Sequence, residues 1–95
     1  MSGVRVHVRF APSSLKTNHA GLDLEASAAR YREELERVLR SAITADAIEV
    51  HVDPAATTLH VAIEGADLTH ARAIERDVLD HAWVVRQMGS WALLG

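Results

Sequence analysis

The stretch IEVHVDPAATTLHVAIEG, Ile48 to Gly65, contains two short runs with the same rhythm. Ile48, Val50 and Val52 alternate with Glu49, His51 and Asp53, and Leu59, Val61 and Ile63 alternate with His60, Ala62 and Glu64. A period of two marks strands with one buried face. Pro54 to Thr57 lies between the runs and reads as a turn. The simplest register for a hairpin pairs Asp53 with Thr58, Val52 with Leu59 and His51 with His60, since a one-residue slip would turn a whole strand over. Two histidines then face one another with Cβ atoms about 4.5 to 5.5 Å apart.

Upstream, Val4, Val6, Val8 and Phe10 alternate with Arg5, His7 and Arg9 and predict another half-buried strand. Pro12 stops it, because proline cannot donate to a ladder, and a polar connector, SSLKTNHAG, runs to Gly21. From Leu22 the spacing changes to threes and fours, through Leu24, Ala28, Tyr31, Leu35, Val38, Leu39 and Ala42. That stripe predicts an amphipathic helix ending near Ile43, with Glu33–Arg37 and Glu36–Arg40 as i,i+4 pairs on its wet side.

Downstream, Asp67 is placed to cap a second helix whose apolar side collects Leu68, Ala71, Ile74, Val78, Leu79, Ala82 and Val85. Trp83 and Val84 favour strand by propensity but continue the helix, and Gly89 is its natural stop. The tail WALLG either adds a short fourth strand or packs against a partner. The order β-α-β-β-α is that of a ferredoxin-like (split βαβ) α+β domain occupying residues 1–95. The expected sheet is antiparallel, with strand 3 between strands 1 and 2 and both helices on one face. Arg5, His7, Arg9, Glu49, His51 and His60 then share the open face.

Composition bounds the function. The 95 residues support one thin core, and the absence of cysteine excludes disulfides, thiolate metal sites and cysteine nucleophiles. A formal charge of −3 argues against a broad nucleic-acid footprint, and the open face lacks the aromatic residues on which RNA-recognition motifs stack bases. No apolar run approaches the roughly 20 residues that span a bilayer, so a cytoplasmic protein is expected. Nine arginines against one lysine, with sixteen alanines, match the codon bias of a GC-rich bacterial genome.

Two readings of the open face follow, and a third concerns catalysis. In the first, the protein binds a partner without catalysis or cofactor, as a homodimer through this face. Arg5 and Arg9 of one copy meet Glu49 and Asp53 of the other, and Trp91, Leu93 and Leu94 add apolar contact. In the second, His7, His51 and His60 hold zinc or another divalent transition metal, with Glu49, Asp53 or Glu64 orienting the rings. The third, an enzyme acting on a small anionic substrate, has less behind it. The connector Ser13, Ser14, Lys16, Thr17, Asn18 and Gly21 precedes a helix start that could attract an anion, but Asp23 and Glu25 oppose it. Asp77 and His81, one turn apart near His70, read most simply as an exposed ion pair.

Overall fold

Strand β1 (Arg5–Phe10) is the middle of a three-stranded mixed sheet, flanked by β2 (Ala47–Val52) and β3 (His60–Glu64). Helices α1 (Leu24–Ala42) and α2 (Leu68–Met88) and a 3₁₀ turn, η1 (Pro12–Leu15), complete the chain. The computed structural model describes residues 3–15, 21, 23–56 and 59–93. The α+β class and the order β-α-β-β-α are those expected from the sequence.

The strand order differs. β1 runs parallel to β2, with Val6 beside Ile48 and Val8 beside Val50, and antiparallel to β3, with Val8 beside Val61. β2 and β3 therefore lie on opposite sides of β1, and the expected hairpin, with strand 3 in the centre, does not form. Two physical reasons account for this. The segment between β2 and β3 has no Asn-Gly or Asp-Gly pair of the kind that closes a two-residue hairpin. Instead Asp53 builds a local turn, its carboxylate accepting from Ala55 N–H at 3.0 Å and its own N–H donating to Phe10 O at 2.8 Å, which carries the chain across the end of β1. In addition, α1 separates β1 from β2 and supplies the long crossover that adjacent parallel strands require.

Val6, Val8 and Phe10 are fully buried, as expected of the central strand, and Ile48 and Val50 nearly so. Val61 and Ile63 of β3 are only half-covered, and Val52 at the end of β2 is exposed. Both helices pack on this face. Ala28, Tyr31, Leu35 and Leu39 come from α1, and Ile74, Val78, Ala82 and Val85 from α2.

Asp67 caps α2 as the sequence suggests, accepting from His70 N–H at 2.7 Å. The apolar stripe starts at Leu22, but the helix starts two residues later, and Asp23 is its cap, accepting from Ala26 N–H at 3.0 Å. α2 runs through Trp83 and Val84 to a left-handed Gly89 with φ 71°.

The tail is not a fourth strand among the described residues. Trp91 is 1 % exposed and belongs to the core of its own chain, edge-on to Tyr31 with ring centroids 5.7 Å apart. Its indole N–H donates to the carbonyls of Val85 at 3.1 Å and Arg86 at 3.2 Å, two of those that the end of α2 leaves unpaired. Leu93 N–H then donates to Ser27 Oγ at 2.9 Å and Asp23 N–H to Leu93 O at 2.9 Å, tying the tail to the start of α1.

Candidate metal centre on the open sheet face

The pleat sends Arg5, His7 and Arg9 of β1 away from the helices, and the register sets Ala47, Glu49 and His51 beside them on β2. On the other flank, Glu64, Ala62 and His60 of β3 stand beside Arg5, His7 and Arg9. His7, His51 and His60 thus share the open face, as the alternation predicts. His51 and His60 are not opposite one another. Each lies beside Arg9, two strand spacings or about 9.5 Å apart, because β1 occupies the place between them.

A different trio converges. Glu49 is directly beside His7 on the neighbouring strand and two residues from His51 on its own, so its carboxylate lies between the two rings. Glu49 Oε2 is 3.2 Å from His7 Nδ1 and 3.6 Å from His51 Nε2. One ligand atom from each residue lies within 4.8 Å of the other two, the only such group of three histidines or carboxylates among the described residues. The side chains are 32 %, 53 % and 55 % exposed for His7, Glu49 and His51, so ions and solvent reach them freely. His60 stands outside this group, on the far side of β1.

The separations suit a small cation. Ligand atoms at about 2.0 to 2.2 Å from a tetrahedral zinc ion stand about 3.3 to 3.5 Å from one another. Glu49 already meets that spacing to both rings within a few tenths of an ångström, and closure needs only a modest approach of the imidazoles. Two neutral imidazoles and one carboxylate form a borderline-hard donor set suited to zinc, nickel, cobalt or iron(II). The sequence marks Glu49 as a group that orients a ring; the geometry makes it a ligand candidate, and the parallel pairing of β1 with β2 is what places it there.

One pair among the charges proposed for an interface meets within the chain. Arg9 Nη1 lies 3.9 Å from Asp53 Oδ2, and Arg5 lies beside Glu64 in the register. The basic column is central with acids on both flanks, rather than a gradient from one edge to the other. Apart from Ala47 and Ala62, the described strand residues on this face are charged or histidine. Leu93 is 41 % exposed, whereas Leu94 lies outside the described residues.

Of the anion-binding connector, Lys16, Thr17 and Asn18 also lie outside the described residues, while Leu15 is buried in the core. On α2, His81 Nδ1 lies 2.7 Å from the main-chain oxygen of Asp77 and so donates to a carbonyl rather than pairing with its carboxylate. No helix among the described residues is long and apolar enough to cross a membrane. No protein-family model matches the chain, and neither a curated protein nor a solved structure matches it.

Proposed function

We propose that the protein is a divalent-metal-binding module in which His7, Glu49 and His51 take a zinc-class ion on the open face of the sheet. The supporting observation is the convergence of three ligand atoms within 4.8 Å on adjacent strands. Structural zinc sites are closed by four protein ligands. Here three are offered on a wet surface, which leaves at least one coordination position for water, a small anion or another macromolecule's side chain. Such a site favours acquisition and release of the ion, the behaviour of a carrier or sensor.

The test is competition of the purified, untagged protein with a chromophoric chelator for zinc, together with the visible spectrum of bound cobalt(II). One ion per chain is expected. His7→Ala and His51→Ala should each weaken binding at least about ten-fold, the loss expected on removing a metal ligand or its close support. His60→Ala should leave binding unchanged. Equal losses from His60→Ala and His51→Ala, or no stoichiometric binding by the parent chain, would reject the assignment.

A further inference from the structure

The two edges of the sheet are treated differently. On β2, the Arg40 guanidinium reaches over the outer edge, with Nη2 3.5 Å from Ile48 O and 3.6 Å from Glu36 Oε1. A charged side chain held there obstructs the addition of another strand. β3 is the other edge, and among the described residues no side chain hydrogen-bonds to its backbone. Its helix-facing residues Val61 and Ile63, with Leu59 just before them, are half-covered, whereas those of β1 are fully buried. The core therefore stops short on the β3 side.

The sequence of β3, HVAIE, is complementary to itself when reversed. Antiparallel pairing of two copies about an axis through Ala62 sets His60 against Glu64 twice on the open face. The same axis sets Val61 against Ile63 twice on the helix face. α2 packs over β3, so the axis also brings the two α2 helices alongside each other. Each flank of the buried stripe of α2 carries an exposed apolar pair one turn apart, Leu79 with Trp83 and Val84 with Met88. Trp83 is 64 % exposed and Met88 67 %.

We propose that the occupant of the β3 edge is a second copy of this chain, paired antiparallel through His60–Glu64 to form one continuous six-stranded sheet. This is an isologous interface, distinct from the stacking of open faces that the sequence suggests. It uses none of the three metal-ligand candidates, so its failure and the failure of the metal reading are separable.

The register is tested by a cross-link. Because the chain has no cysteine, Ala62→Cys introduces one thiol, and directly opposed residues of an antiparallel pair stand about 4.5 to 5.5 Å apart at Cα, within disulfide range. Sedimentation at about 100 μM, a concentration typical of moderate self-association, should report a dimer. Mild oxidation should trap the Ala62→Cys variant as a covalent dimer, while the Ala47→Cys variant, altered on β2, stays uncoupled. His60→Glu places like charges opposite each other at two symmetric positions and should weaken the dimer at least about ten-fold. Adding Glu64→Lys should restore it, with melting curves reporting the subunit fold of both variants. A monomer at that concentration overturns the proposal. So does a dimer that oxidation traps in the Ala47→Cys variant and not in the Ala62→Cys variant, or one indifferent to His60→Glu.

Discussion

Tyr31 shows what a single polar atom does in a small core. Its ring meets Phe10 edge-on, with centroids 4.9 Å apart, and its hydroxyl donates to Ala82 O at 3.0 Å, joining α1 to α2. Burial pushes its pKa up to about 12, only partly offset by the Arg86 charge. The folded state therefore keeps the proton that the unfolded chain releases near 10, and stability falls as pH rises from about 10 to 12. The loss across that window is about 2 to 3 kcal/mol. Tyr31→Phe should remove this alkaline slope while costing about 1 kcal/mol at neutral pH for the lost hydrogen bond. Denaturant titrations at neutral pH and through the alkaline window measure both.

At the same scale, Glu49→Gln should lower zinc affinity at least about ten-fold and change stability by no more than about 0.5 kcal/mol, since exposed ion pairs contribute little. Chelator competition and a melting curve separate the two effects. Acidification should release the ion from the parent chain, because both imidazoles must be unprotonated to bind it.

Elements meet at Gly65, just after β3. Its φ is 82°, and a Cβ there would run into the carbonyl oxygen of Gly3, which leads into β1. Gly65→Ala combines a disfavoured backbone with a main-chain clash and should cost at least about 2 kcal/mol. Gly89→Ala meets no neighbouring atom at its similar φ of 71° and should cost less. Chemical denaturation of the pair isolates the close approach from the conformational cost.

The same elements show what is legible in the sequence. Alternation in β1, β2 and β3 identifies the buried faces, and Asp67 and Gly89 mark the ends of α2, because those signals are local. Strand neighbours are not local. A period of two says which way Glu49 points but not whether His7 or His60 lies beside it, and the chemistry of Asp53 at the crossing is visible only once β1 is there to receive it. The site is accordingly half legible: alternation singles out His7 and His51 as ligand candidates, and Glu49 only as their support. Trp91 carries no signal either way, since WALLG is too short to show a period.

At the scale of the molecule, the tail acts as a clasp. Trp91 fills the core and completes the end of α2, while Leu93 bonds to Ser27 and Asp23 at the start of α1. Ending the chain after Ser90 removes a large buried aromatic residue, for which loss of the side chain alone costs about 3 to 5 kcal/mol. The truncated protein should lose cooperative unfolding in calorimetry.

The central position of β1 has a consequence for biosynthesis. The strand emerges from the ribosome before either neighbour, and Arg5 waits for Ala47 on one side and Glu64 on the other. Val6, Val8 and Phe10, the most deeply buried strand residues, are thus made before the helices and the two strands that enclose them. At synthesis rates of about 5 to 20 residues per second, that interval lasts seconds. Arg5, His7 and Arg9, interleaved with those apolar residues, put charge and polarity into an otherwise adhesive segment and act as gatekeepers against premature pairing with other nascent chains. The residues that face solvent in the finished sheet thereby also protect the strand during the period before it has a sheet to join.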